Sequence, residues 1–342
     1  MMKKLAMGID IGGTNTAFGL VDEDGNVVAE SKISTEKFRY FDDYKPYIET
    51  LAAAMKELIS TQADCTLIGI GIGAPNANIH SGKIETPANL WKFENPADPR
   101  PDTIRIFNFV EDLGKYFEGI KIMITNDANA AAIGEMVFGN ARGMKDFAMI
   151  TLGTGLGSGI VCNGEMVYGS DGFAGEYGHI AVESRQTGRQ CGCGRRGCLE
   201  TYVSATGIKR TAFELMATMT CDSELRSIPY DKFEAKMLSD AAKNNDPIAL
   251  EAFERTGRIL GEALADLTAV TSPEAIILFG GLANAGNLIV EPTHRHMEAN
   301  QLGVFKGKVK LLMSGIQDKN VAILGGAALI WKQYLESVIE NY

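Results

Sequence analysis

Short apolar runs alternate with polar turns at the start of the chain. Leu5 to Val21 reads as a strand, the Gly-rich turn Gly12-Gly13-Thr14 and a second strand. Asp24-Gly25 then supplies a tight turn into Asn26-Val27-Val28. The period changes after this, and Tyr47, Ile48, Leu51, Met55, Leu58 and Ile59 fall on one helical face. Leu67 to Ile72 is a short buried-type strand ending in Gly73-Ala74-Pro75, and Ile120 to Thr125 is another. Asp127 to Phe138 predicts an alanine-rich helix, and the proline- and charge-rich stretch 94–102 a surface loop. Pro247 to Thr271 predicts a long helix with Leu250, Phe253, Leu260, Leu264 and Leu267 on one side. Ala275 to Phe279 is a strand that delivers Gly280-Gly281, and Val321 to Ser337 closes the chain as a helix. Its Gly325-Gly326 pair costs about 1 kcal/mol per glycine relative to alanine, so a ligand or another backbone should approach closely there.

The opening pattern recurs. A shift of 140 residues lays Gly13, Thr14, Gly19 and Val21 over Gly153, Thr154, Gly159 and Val161, and Asn163-Gly164 falls near the place of Asp24-Gly25. The expectation is a duplicated α/β architecture with a cleft between two halves. One domain spans 1–122 and is completed by the C-terminal helix at about 321–342; the other spans 123–320. A length of 342 residues agrees with two domains.

Charge and cysteine usage narrow the partners. The net charge of -10 argues against nucleic acid, because neutralising phosphates needs a basic face. The N-terminal apolar stretch is too short for a signal peptide, and no later run is long enough to cross a bilayer. Three of the six cysteines, Cys191, Cys193 and Cys198, fall within eight residues. That clustering fits a metal site in a reduced cytoplasm better than a disulfide scaffold.

Candidate chemistry gathers at the turns. In Asp10-Ile-Gly-Gly-Thr-Asn15, Gly12 and Gly13 let backbone amides approach phosphate oxygens, Thr14 and Asn15 add donors, and Asp10 is placed to hold Mg2+. Gly153, Thr154 and Gly155 open the matching segment. Neither turn is a P-loop or a dinucleotide fingerprint, so a third kind of phosphate grip is required. Gly280-Gly281-Leu-Ala-Asn284 is a further strand-end turn suited to adenosine or its phosphates. Asn126-Asp127 stands where a strand meets a helix, which suits a helix cap or a catalytic group. His179 with Cys191, Cys193 and Cys198 can close a tetrahedral structural zinc shell, although His80, His294 and His296 remain alternatives to His179. Glu176 and Glu200 flank this cluster and could accept sugar hydroxyl protons, Glu200 being equally readable as a solvated helix residue. Asn89 and Trp91 offer an amide and an aromatic face, with packing the plainer role for Trp91.

Together these pieces resemble the ROK family of sugar kinases and sugar-responsive repressors, from Asp10-Ile-Gly-Gly-Thr to Gly325-Gly326. The most specific element is Glu176-x-x-His179 followed by Cys191-Gly-Cys-Gly-x-x-Gly-Cys198-Leu-Glu200. The resemblance implies an actin-like (ribonuclease H-like) fold and ATP-dependent transfer to the 6-hydroxyl of a hexose. It implies Asp127 as the base, sugar contacts from Asn89, Asn126, Glu176, His179 and Glu200, and phosphate binding by Gly12 to Asn15 and Gly153 to Gly157. Mg-ATP, a structural zinc ion, a cytoplasmic location and a homodimer come with it. Asn15 departs from the lysine that many members carry. Glucose leads the expected substrates, followed by N-acetylmannosamine, N-acetylglucosamine, mannose and fructose. A repressor of the family would carry a helix-turn-helix ahead of the first phosphate turn, and with that turn at residue 12 the expectation is a kinase and not a repressor.

Overall fold

A computed structural model of the chain describes residues 2–87, 90–91, 105–316 and 321–340. Asn89 and the stretch 94–102 lie outside the described residues. The chain divides into two compact units, Met1–Gly143 with Met166–Ala174 and Gly315–Tyr342, and Met144–Glu165 with Gly175–Ser314.

The first unit opens with β1 (Lys3–Ile11), β2 (Asn15–Val21) and β3 (Val27–Ser34), an antiparallel meander. Helix α1 (Tyr44–Ser60) leads to β4 (Cys65–Gly73), which runs parallel to β1. A small sheet of β5 (Ala77–Asn78), β6 (Lys83–Glu85) and β7 (Ile106–Phe107) follows, then α2 (Phe109–Gly114). Strand β8 (Ile122–Thr125), parallel to β4, feeds α3 (Asp127–Phe138). The main sheet has the order β3-β2-β1-β4-β8. Tyr47, Leu51 and Met55 of α1 bury against Phe18, Ile9 and Ile72 of the sheet. Trp91 is buried at 1% exposure among Tyr44, Tyr47 and Phe107, with ring centroids 5.1, 5.0 and 4.7 Å away. It is a packing residue here, and its face is not offered to a ligand.

The second unit repeats this plan with β9 (Phe147–Leu152), β10 (Leu156–Cys162) and β11 (Glu165–Met166). Helices α4 (Ala205–Thr218), α5 (Ala235–Lys243) and α6 (Pro247–Thr271) come next. Asp246 caps α6 by accepting from the Ile248 and Ala249 amides at 3.0 Å, with Pro247 at the first position where no amide is needed. Strand β12 (Ala275–Phe279), helix α7 (Asn287–Asn300) and strand β13 (Lys310–Met313) complete the unit. The sheet order is β11-β10-β9-β12-β13, matching the first sheet strand for strand. The duplication expected from four shared residues therefore extends through five strands.

Helix α8 (Val321–Glu340) belongs to the first unit. A methyl at Gly326 would lie 2.6 Å from the Gly71 carbonyl oxygen and 2.8 Å from the Ile9 nitrogen. One at Gly325 would lie 2.7 Å from the Ala130 carbonyl oxygen. The glycine pair thus lets the helix backbone rest on β1, β4 and α3, so backbone approach accounts for its cost.

Candidate active site

Strand register builds the first half of the site. Asp10 of β1 lies opposite Gly73 of β4, and Gly73 opposite Thr125 of β8. The three neighbouring strands therefore end together and deliver Asp10 beside the Asn126-Asp127 start of α3. A methyl on Gly73 would stand 3.2 Å from the Ala130 methyl and 3.7 Å from the Asp127 Cα, so the first turn of α3 sits over the strand end.

The Asn-Asp dipeptide divides its labour. Asn126 is the helix cap, its Oδ1 accepting from the Ala128 amide at 2.9 Å in extended backbone geometry. Asp127 Oδ1 shares that amide at 2.8 Å. The residue keeps a solvent-accessible face, yet desolvation holds its carboxyl above the ordinary carboxylate range, against the pull of the Ala128 amide. We read this as a carboxyl that a ligand can reach while protein crowds it. Asp10 is pushed up to about 6, first by burial and then by the Asp127 charge. Half-buried beside a second acid, Asp10 has the environment that a divalent cation would relieve.

At the β1–β2 turn the Gly12 amide donates to the Asn15 carbonyl at 3.0 Å, while Gly13, Thr14 and Asn15 are exposed at the tip. The Thr14 carbonyl accepts from the Thr35 and Glu36 amides at 2.9 and 3.1 Å, which fixes the turn from behind. Beneath it, buried Thr16 bonds Thr35 at 2.8 Å and Tyr47 at 2.7 Å.

The second unit holds the remaining candidates. At the β9–β10 turn the Gly153 amide donates to Gly155 at 3.0 Å. The start of α4 grips the same turn, with Ala205 N–H donating to Gly153 and Thr206 Oγ1 to the Thr154 carbonyl, both at 2.9 Å. Gly280-Gly281 follows β12, and Leu282 N–H donates to Leu152 at 3.1 Å, tying that turn to the end of β9. A cavity of about 670 Å³ opens between α6 and α7, with Phe253, Leu288 and Pro292 among its apolar walls and Lys243, Glu254 and Arg295 among its charged ones.

His179, Cys191, Cys193 and Cys198 converge, their ligand atoms all within 4.8 Å of one another. Cys193 Sγ is 3.7 Å from Cys198 Sγ, and Cys191 Sγ is 3.8 Å from His179 Nδ1. A tetrahedron of zinc–sulfur bonds near 2.3 Å sets sulfurs about 3.8 Å apart, so this donor set fits the ion. His80, His294 and His296 are not in the group. With Nδ1 turned to Cys191, His179 directs Nε2 toward Glu176, 3.9 Å away.

Glu200 does more than its sequence position suggested. Its Oε2 accepts from the Leu156 amide at 3.0 Å, at the β9–β10 turn, and its Oε1 lies 3.7 Å from Cys191 Sγ. Arg189 was not legible either, one of four arginines in the loop. It bonds the Thr201 and Gly207 carbonyls at 2.8 and 3.1 Å and Glu214 at 3.0 Å, stapling the cysteine loop to α4.

A sequence model of the ROK family matches residues 6–334. The glucokinase of Halalkalibacterium halodurans is 34% identical over 340 residues, covering 97% of both chains. The crystal structure of a ROK family glucokinase from Streptomyces griseus, in complex with glucose and AMPPNP, superposes with a TM-score of 0.72 at 30% identity, over 95% of this chain and 98% of that one. A ROK family transcriptional regulator, a homologue of the Escherichia coli MLC protein, superposes with a TM-score of 0.82 at 25% identity, over 99% of this chain and 82% of that one. With the family pattern matched across nearly its whole length and the fold shared with solved members, the chain belongs to the ROK family.

Proposed function

We propose that the chain is an ATP-dependent sugar kinase that phosphorylates a hexose at the 6-hydroxyl, with glucose as the first candidate. The observation that carries this reading is Asp127: an accessible carboxyl at the start of α3, spared the capping role by Asn126 and set beside Asp10. The likeness to glucokinases at 34% and 30% identity supports it.

In this reading Asp127 accepts the proton of the sugar hydroxyl as that oxygen attacks the γ-phosphorus. The bond to the β–γ bridging oxygen breaks and ADP departs. Asn89, Asn126, Glu176, His179 Nε2 and Glu200 Oε1 hold the sugar hydroxyls. Gly12 to Asn15 and Gly153 to Gly155 offer backbone amides to the phosphates, so alignment and neutralisation supply most of the rate. The adenine base occupies the cavity of α6 and α7, whose walls mix apolar and charged side chains, next along the chain from Gly280-Gly281. Asp10 would hold Mg2+, which when bound offsets phosphate charge. Cys191, Cys193, Cys198 and His179 Nδ1 would hold zinc, whose contribution is structural: it fixes the loop that carries Glu176 and His179.

The test is coupled ADP release with Mg-ATP across hexoses and N-acetylhexosamines, with Asp127→Asn as the blank. A sugar-dependent rate lost in the variant supports the reading and names the substrate. Sugar binding without turnover on any member of the panel would overturn it in favour of a sensor.

A further inference from the structure

Glu200 sits between two features that the proposed reaction treats separately. One carboxylate oxygen accepts the Leu156 amide at 3.0 Å, inside the β9–β10 turn, and the other faces the cysteine cluster through Cys191, 3.7 Å away. A methyl on the neighbouring Gly155 would overlap the same Glu200 oxygen and force that side chain to move. Glu200 itself is held by its backbone: the Glu200 carbonyl accepts from Ser204 Oγ at 2.7 Å, and Ser204 caps α4 through the Gly207 amide at 3.0 Å. The turn therefore rests on a carboxylate whose position is set by α4 on one side and the cysteine loop on the other.

We infer that Glu200 is a positioning residue for the nucleotide: by holding Leu156 N–H it shapes the turn that receives phosphate, before any sugar is bound. This deepens the phosphate-binding reading given above and rests on it. The physical basis is pre-organisation. A turn of Gly153, Gly155 and Gly157 has many conformations open to it, and a hydrogen bond to a charged acceptor selects one, so less ordering remains when phosphate arrives. A residue that served the sugar alone would leave nucleotide affinity unchanged.

The chemistry of the side chain separates the two roles. Glutamine keeps the length and one acceptor oxygen for Leu156 N–H but changes the group presented elsewhere. Alanine removes the acceptor. MgADP binding is measured calorimetrically on the intact protein without sugar, with zinc content and circular dichroism recorded for each variant. Glu200→Ala should weaken MgADP by about tenfold, as expected for one hydrogen bond to a charged acceptor. Glu200→Gln should stay within about threefold of the parent for MgADP while raising the sugar KM, because its amide oxygen still takes the Leu156 amide. Parent-like MgADP affinity in a folded Glu200→Ala protein would overturn the inference. If Glu200→Ala does not fold, the glutamine variant decides: nucleotide binding lost along with sugar binding would overturn the assignment to the Leu156 bond. A parent protein that binds no MgADP overturns the kinase reading and this inference together.

Discussion

Asp127→Asn strikes the proposed reaction with little collateral change. Asparagine keeps an Oδ1 that can accept the Ala128 amide, now at 2.8 Å, and Asn126 remains the cap, so α3 should start where it does in the parent. What disappears is the capacity to take a proton. Positioned general bases contribute about a hundredfold to ten-thousandfold. Desolvation raises Asp127 toward working pH, which strengthens it as a base, so kcat should fall about a thousandfold, or about 4 kcal/mol. Sugar KM should stay within about threefold, since the amide still fits the hydroxyl. In the parent, protonation removes the acceptor, so kcat/KM should rise with pH along an acid limb lying above the ordinary carboxylate range. The assay is coupled ADP release over a range of sugar concentrations, repeated from pH 5 to 8. A fall in kcat of less than tenfold would remove Asp127 from the mechanism.

Three further outcomes follow from the same geometry. Asp10→Asn should stabilise the nucleotide-free protein at pH 7 by up to about 3 kcal/mol while abolishing turnover, because a carboxyl shifted from 3.8 to about 6 destabilises the fold when charged. Its native protonated form contributes stability below pH 4 that is lost as pH rises through 6, so the gain should vanish toward pH 4 in denaturant titrations; equal stability at pH 7 would refute the crowding of Asp10. Cys193→Ser should lower bound zinc, measured by elemental analysis, and raise the sugar KM about tenfold or more; a zinc-free protein with parent sugar affinity would sink the structural role. Gly326→Ala should cost about 3 kcal/mol or more in guanidinium unfolding, because its methyl meets only backbone at 2.6 and 2.8 Å; unchanged stability would mean α8 is not seated on β1 and β4.

The sequence was most informative where chemistry is local. Turn glycines, the closely spaced cysteines and the Asn-Asp junction each occupy a few consecutive residues, and the long helix at Pro247–Thr271 has both its cap and its apolar face written into one segment. Pairings across long separations left no such trace. The Leu156–Glu200 bond spans 44 residues, and buried Glu135 on α3 accepts from the Gly315 amide 180 residues away at 3.0 Å. Glu200 stands out by its place after Cys198, but nothing near either glutamate in the sequence announces its amide partner. Trp91 shows the opposite error available to sequence reasoning, since an aromatic near an amide suggests a sugar platform until its burial among Tyr44, Tyr47 and Phe107 is seen.

The duplication bears on why the proposed reaction would use a single base. Both copies carry a glycine-containing β-hairpin turn with an exposed threonine at its tip, and both sheets share one strand order. Phosphate has several oxygens to be gripped, so two turns of the same kind can both be used. The copies diverge after the fifth strand. In the first, β8 runs into Asn126-Asp127 and α3. In the second, β13 ends at Met313 and Ser314-Gly315 carries the chain back to the first unit, where α8 packs on the sheet. The position that would hold a second acid is spent on returning the chain. Asp10 already stands beside Asp127, raised to about 6 by burial first and by the Asp127 charge second, so a further carboxylate there would add like-charge repulsion without adding a needed acceptor.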